Sequence, residues 1–336
     1  MTQTNNKQPE EQKQIGLILT VPPLARFEDI IKDPVVEAVR INTTHEVNQD
    51  LDYLLESIKE QAGLKKAWID LKCRQLRVTD YNVEIRRGEE IHKIGLSQKI
   101  ELNLPTEAIF DDGNFYANIV ALENENTLII PSSLEKKTGL QLPTRTNMGI
   151  RPGMSINITD PSLKIKGYLT KKDEAYIEAS KKAGIHTFML SYVEEESDIT
   201  DFLALDPDAE LIAKIESPKG IEFVKNIYPK YKDKVHLMAA RGDLYVELAQ
   251  PHLILKACED IINADKDAIL ASRMLQSLRK PEKMPASQDI FDLYSGMLMG
   301  YYRFMTGDEV SFRKDSTMSV IGLFDAVKKI YEQVRT

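Results

Sequence analysis

The sequence predicts an α/β fold, a (β/α)8 (TIM) barrel with a small inserted β lid domain after strand three. Three observations predict it. Short β-branched runs alternate with amphipathic helical stretches, as in a parallel sheet whose strands are joined by helices. Eight such units can be counted, and eight closes a barrel. The alternation breaks once, over residues 79–158, where turn signals separate strand-like pieces with little helical periodicity. A chain of 336 residues has room for one barrel plus an insertion.

The elements follow in order. IGLILTVP (15–22) reads as strand one and FEDIIKD as a short helix; VVEAVRINT (35–43) is strand two, and residues 48–63 form a helix closed by Gly63. KKAWIDLK (65–72) is strand three. The inserted region carries turns at DDGN (111–114), NEN (124–126) and RPGM (151–154). A helix over 171–184 resumes the alternation, followed by strand four (185–193) and strand five (209–216) with its helix from Gly220. Strand six is expected over 234–243, strand seven over 267–275, a helix over 292–302, strand eight over 303–306 and a closing helix over 319–334. The domain division is therefore a flexible tail (1–14), a barrel (15–78 and 159–336) and an inserted β-barrel-like lid (79–158).

Composition narrows the function classes. Hydrophobic residues make up 42% and charged residues 29%, the balance of a soluble globular protein. A net charge of -8 without a basic stripe argues against nucleic acid as partner, because phosphate contacts need clustered Lys and Arg. Two cysteines far apart, Cys73 and Cys258, suit a reducing cytoplasm. The polar N-terminus has no apolar core, and no apolar run approaches the roughly 20 residues that cross a bilayer, so no membrane partner is expected. Trp68, Met297, Met299, Tyr301 and Tyr302 read as packing, EEES (194–197) as the solvated first turn of a helix, and His186, His236 and His252 as structural.

In such barrels the chemistry sits at the C-terminal ends of the strands. Positions two apart on a strand share a side. Strand two ends with Arg40, Asn42 and Thr44, strand three with Asp70 and Lys72, and strand five with Lys214 and Glu216. Strand six ends with Ala239 to Asp243, and strand seven with Ser272 and Arg273. Glu216 and Asp243 on adjacent strands suit Mg²⁺, which takes carboxylate oxygens and keeps water or substrate in its other positions. Arg40 and Lys214 suit an anionic substrate with a transferable phosphoryl group. Each residue alone reads equally as a rim ion pair; five polar strand ends together do not.

These motifs resemble the pyruvate kinase family, in order, over roughly residues 17–310. TVPPLAR (20–26) is similar to that family's segment after strand one, VRINTTHE (39–46) to Arg-x-Asn-x-Ser-His, and DLKCRQLR (70–77) to Asp-Thr-Lys-Gly-Pro-Glu-Ile-Arg. AKIESPKG matches Lys-Ile-Glu, MAARGDLYVEL (238–248) matches Ala-Arg-Gly-Asp-Leu-Gly-Val-Glu, and ASRML (271–275) resembles Ala-Thr-Gln-Met-Leu; the insertion starts where the family's lid does. The resemblance implies phosphoryl transfer from phosphoenolpyruvate to ADP through a metal-stabilised enolpyruvate, giving pyruvate and ATP. It implies Mg²⁺ or Mn²⁺ at Glu216 and Asp243. K⁺ would sit at Asn42, Thr44, Asp70 and the Leu71 carbonyl. Lys214, Arg40 and Ser272 would be catalytic. Ala240, Arg241, Gly242, Asp243 and Ser272 would hold the substrate, largely through backbone N–H groups. Arg40, Asn42 and His45 would lie on the nucleotide side. A homo-oligomer is compatible with it.

Departures from the family pattern mark what else the chain could do. Cys73-Arg74 replaces Gly-Pro and adds a cation at the mouth; Gln75 replaces the glutamate tied to K⁺ dependence; Tyr245 replaces glycine; Ser272-Arg273 replaces Thr-Gln; and the strand-eight motif is reduced to TGDE (306–309). The family's C-terminal effector domain finds no counterpart, so a shortened member without that regulation is expected. Two further readings stand beside the kinase. One is an altered or inactive paralogue that binds phosphoenolpyruvate as a sensor or scaffold. The other is a metal-dependent 2-oxo-acid lyase, which would need neither Lys214 nor a lid.

Overall fold

Strand β1 (Gly16–Thr20) is buried at every position, as a parallel strand covered on both faces must be. The computed structural model describes residues 13–131 and 150–335, apart from Leu24, Glu46, Asn48, Pro281 and Lys283 and the side chain of Asp112. The expected tail lies outside the described residues up to position 12; Lys13 pairs with Asp267 and rests over the Tyr302 ring.

After β1 come α1 (Glu28–Ile31), β2 (Val36–Asn42), α2 (Leu51–Ala62) and β3 (Lys66–Leu71). The inserted strands are β4 (Val78–Arg86), β5 (Glu89–Leu96), β6 (Ile100–Glu101), β7 (Thr106–Phe110), β8 (Phe115–Ile119), β9 (Ala121–Glu123), β10 (Thr127–Pro131), β11 (Ile156–Asn157) and β12 (Lys164–Ile165). The barrel resumes with α3 (Lys171–Lys182), β13 (Thr187–Leu190), α4 (Glu196–Leu205), β14 (Glu210–Ile215), α5 (Pro218–Asn226), β15 (Val235–Ala240), α6 (Arg241–Glu247), α7 (Ile254–Ala264), β16 (Ile269–Ala271), α8 (Ser287–Leu298), β17 (Arg303–Met305) and α9 (Lys314–Arg335). Eight strands close a parallel barrel in the order β1-β2-β3-β13-β14-β15-β16-β17. The inserted strands form separate antiparallel sheets around their own core, in which Ile94, Phe110, Leu128 and Ile156 are buried. Strand β12 pairs with β6 and carries the inserted strands on to Ile165.

The interior of the barrel is layered. Ile18, Ala38, Trp68, Met189, Ile212, Met238, Ile269 and Met305 form an apolar plug. Two residues further along five of these strands stand Thr20, Arg40, Asp70, Ser191 and Lys214. The period of two keeps them on the inner side, so one layer seals the barrel and the next lines its mouth.

Helix caps fix the turns that leave this layer. Thr170 caps α3 in a reciprocal box with Asp173, and the Asp173 carboxylate also accepts the backbone N–H groups of Lys72 and Cys73. Asp198 in the first turn of α4 accepts the backbone N–H groups of Glu194 and Glu195.

Three local expectations change. Strand six stops at Ala240 because its neighbour β16 ends opposite it at Ala271, and the freed chain turns into α6 at Arg241. Strand seven is only three residues long, and Ser272, Arg273 and Leu275 take left-handed φ values of 68°, 58° and 56°. The helix expected over 292–302 starts at Ser287 and ends at Leu298, ahead of Gly300 at φ 103°.

Two glycines in helices make opposite predictions. A Cβ at Gly296 in α8 would stand 2.6 Å from Leu270 and 3.0 Å from Phe304, whereas one at Gly322 in α9 would meet nothing within 4 Å. Gly296→Ala is expected to destabilise by about 1–3 kcal/mol through overpacking. Gly322→Ala is expected to stabilise by about 0.5–1 kcal/mol through lost unfolded-state freedom. Urea titrations of both variants check the signs.

Candidate active site

The mouth of the barrel opens into a cleft of about 610 Å³ lined by Arg40, Lys72, Lys214, Glu216, Gly242, Asp243 and Ser272, with Arg77, Asp111 and Arg151 from the inserted side. At its base Asp70 faces three cations. Arg40 donates to Asp70 Oδ2 through Nε at 2.9 Å and again through Nη2. Lys214 Nζ is 3.3 Å and Lys72 Nζ 3.6 Å from the same carboxylate. Burial alone would raise the Asp70 pKa, but Lys214, Lys72 and Arg40 outweigh it and hold the carboxyl far below the usual range. Burial pulls the Lys214 ammonium down, and Asp70 and Glu216 more than restore it. Lys72 has the poorer position: burial, Lys214, Arg40 and Arg77 bring it to about 7 against the pull of Asp70.

Lys214 is the junction of the site. Its ammonium lies 2.7 Å from Ser191 Oγ and 3.2 Å from Glu216 Oε1, and is buried. The Glu216 carboxylate is also buried. Desolvation raises its pKa to about 7, Lys214 opposes that, and Asp243 adds to it. Asp243 is gripped by two amides, Gln75 Nε2 at 2.8 Å and Asn157 Nδ2 at 3.1 Å. Two hard carboxylates at a polar cleft, the charge of Asp243 opposing that of Glu216, are the donor chemistry a divalent cation takes. The buried Asn157 Oδ1, which has no hydrogen-bond partner, is consistent with a further hard ligand or water nearby. The set therefore fits Mg²⁺ or Mn²⁺.

The potassium set is engaged differently. Asn42 Oδ1 accepts Thr44 N–H and Oγ1–H at 3.1 and 2.9 Å, the Leu71 carbonyl accepts Ser191 Oγ at 2.8 Å, and Asp70 already faces its three cations.

Other expected site residues separate into two groups. Thr44, His45, Gly242 and Ser272 line the cleft. Ala240 is buried with the barrel plug, and the Arg241 side chain turns away to Asp292, at 2.6 Å, and to the carbonyl of Ser272. Of that segment, Gly242 and Asp243 line the cleft. His45 Nε2 pairs with Asp308 at 3.2 Å, and Asp308 also accepts from Asn42 at 2.5 Å and from Arg40 at 3.4 Å.

Several expectations are corrected. Arg74 is not a cation at the mouth. It forms a two-point pair with Asp198 at 2.7 and 2.8 Å, stacks over the Tyr168 ring and closes the start of α4. Glu194 is not solvated either: it accepts Ser217 Oγ at 2.5 Å and pairs with Arg74, and α4 begins only at Glu196. Tyr245, which stands where the family has glycine, is 40% exposed and carries the Arg273 guanidinium over its ring. His236 pairs with Asp265 at 3.4 Å at the opposite end of the barrel, in keeping with its structural reading, and Asp267 lies close by.

Sequence reasoning missed Ser191, Tyr192, Asn157, Glu247 and Asp308. Only Ser191 carried a usable signal, being two positions past the plug residue Met189 on strand four.

Comparison with known proteins follows the same outline. A family model described as the pyruvate kinase barrel domain matches residues 13–311. The pyruvate kinase of Borreliella burgdorferi is 25% identical over 338 residues, covering 94% of this chain and 68% of its own. That of Thermoplasma acidophilum is 24% identical over 341 residues, covering 95% of this chain and 58% of its own. The chain thus spans roughly three-fifths to two-thirds of these relatives. The crystal structure of Cryptosporidium parvum pyruvate kinase superposes with a TM-score of 0.72 at 16% identity, over 96% of this chain and 71% of that one, which shows the fold.

Removing the Asp70 charge strands three cations. Asp70→Asn is expected to cost about 3–5 kcal/mol of stability. The folded pKa is depressed, so the carboxyl's own contribution is complete above about pH 4 and is lost as pH falls further. Urea unfolding of both proteins should give a gap that narrows in strong acid and also shrinks as pH rises through about 7, where Lys72, held up by Asp70 in the wild type, loses its charge.

Proposed function

The chain belongs to the pyruvate kinase family through its barrel domain, and from that premise we propose that it transfers the phosphoryl group of phosphoenolpyruvate to ADP, giving pyruvate and ATP. One observation carries the reading: a buried, charged Lys214 stands between Asp70, Glu216 and Ser191 on the floor of a cleft that also holds Arg40 and Asp243. Phosphoryl transfer asks a protein mainly for positioning and charge neutralisation. This cleft is arranged for both.

In this reading the phosphoryl group leaves the enol oxygen of phosphoenolpyruvate and bonds to a terminal oxygen of the ADP β-phosphate. Lys214, kept protonated by Asp70 and Glu216, neutralises the phosphoryl oxygens in transit. Arg40 does so from the other side, its guanidinium fixed by Asp70, Thr20 and Asp308. Backbone N–H groups at the start of α6, beside Gly242, meet the substrate carboxylate. Gly242 leaves room there, since a Cβ would already sit 3.4 Å from Ser272. Glu216 and Asp243 would hold the divalent cation, whose charge stabilises oxygens that become more negative during transfer. The enolate left behind takes a proton at its methylene carbon, and the hydroxyl of Ser272, a residue of the cleft lining, would relay it.

Purified protein given phosphoenolpyruvate, ADP and Mg²⁺ should release pyruvate. Lys214→Ala should slow release by about 10²–10³-fold or more, with folding verified by its melt. Because Asp70 is already served by protein cations, release should be similar with and without K⁺. Pyruvate release that is independent of ADP, or unchanged in Lys214→Ala, would sink the reading.

A further inference from the structure

Glu216 follows the end of β14 and Asp243 lies in the first turn of α6, yet a chain of contacts joins them. Tyr192, just past β13, has a left-handed φ of 51°, a region non-glycine residues rarely use. That turn aims its backbone N–H at Glu216 Oε2, at 2.8 Å. Its phenol lies 2.7 Å from Asn157 Nδ2. Asn157 is the last residue of β11 in the inserted part and is 2% exposed. Its two N–H hydrogens are shared among the Tyr192 hydroxyl, Asp243 Oδ1 at 3.1 Å and Glu247 Oε1 at 2.9 Å. The path runs from Glu216 through the Tyr192 backbone to its phenol and on to Asp243 through the Asn157 carboxamide, and the phenol itself also interacts with Asp243 and, at 3.4 Å, with Glu247.

We propose that Tyr192 and Asn157 are positioning residues that set the spacing of the Glu216–Asp243 pair for a divalent cation and tie that spacing to the seating of the inserted sheets. Neither residue is placed on the reacting atoms. Three features carry the proposal. Backbone strain concentrated at a site is retained only where surrounding contacts hold it, and here it directs an N–H onto one carboxylate. One of the two amides that hold the other carboxylate comes from the inserted part, so β11 shares the alignment of Asp243 with Gln75. Groups that orient metal ligands without touching the metal typically change its affinity by about 10–100-fold when removed.

The inference rests on the metal reading of Glu216 and Asp243 above. Its test is equilibrium Mn²⁺ binding to the metal-free protein, read by the paramagnetic signal of free Mn²⁺. Tyr192→Phe keeps the aromatic body and is expected to weaken binding about tenfold. Asn157→Ala is expected to weaken it by about 10–100-fold. The double variant should lose less than the sum of the two single losses, because the residues touch each other and share Asp243. In parallel, Mn²⁺ should slow hydrogen exchange at Ile156 and Asn157 in the wild type and not in Asn157→Ala. Thermal melts establish that the variants fold, and Tyr192→Phe alone suffices if Asn157→Ala does not. Wild-type Mn²⁺ affinity in Tyr192→Phe, or fully additive losses in the double variant, would overturn the frame while leaving the metal site standing. No Mn²⁺ binding by the wild type would overturn the metal reading and the frame with it.

Discussion

The structure depends on one buried carboxylate. Asp70 lies at the base of the cleft with no exposed surface and faces Arg40, Lys72 and Lys214. Three cations cannot be taken out of water next to one another without an anion among them. Asp70 supplies it, and the allocation is unequal. Arg40 holds the closest hydrogen bonds and Lys214 gains a second carboxylate from Glu216, whereas Lys72 is left with a pKa near 7. The strand-end cations are thus held together by carboxylates placed among them, Asp70 first and Glu216 and Asp308 at its sides.

That arrangement follows from strand register. Asn42 pairs with Asp70 across β2 and β3, and Asp70 pairs with Met189 across β3 and β13. Parallel strands at matched height bring side chains from distant sequence into one ring. The apolar plug below, with Trp68 at its centre and fully buried, keeps water out from beneath the ring. Coulomb attraction among the ring members is correspondingly stronger than it would be at the surface.

Much of this was legible in the sequence, for a specific reason. Lys214 and Glu216 two apart at the end of an apolar run must share a face, and the same rule places Arg40 and Asn42. The fold class followed from eight alternating units. What stayed illegible were interactions that close through space. Arg74 looked like a cation for the mouth because its partner Asp198 is 124 positions away. Asn157 carried no pattern at all, since a two-residue strand in the inserted part has no periodicity to read. Asp308 stood in a segment that matched the family poorly, and its role is visible only once β17 brings it against Arg40 and His45.

Backbone strain repeats the same division between scaffold and site. Within the barrel, the described non-glycine residues with left-handed φ are Cys73, Tyr192, Ser272, Arg273 and Leu275. All follow the C-terminal ends of β3, β13 and β16; the remaining ones, Arg87, Asp111, Asn124 and Glu125, lie in turns of the inserted sheets. Each such residue costs of the order of 1 kcal/mol or more. The opposite rim, which bears no reading as a reaction site, carries none among the described residues. A strand that continued in regular geometry would carry its side chains past the mouth. The left-handed turn instead points Tyr192 N–H at Glu216 and brings Ser272 against Gly242. The well-packed plug and helices supply the stability against which that local cost is set, which is why the strained positions and the cleft coincide.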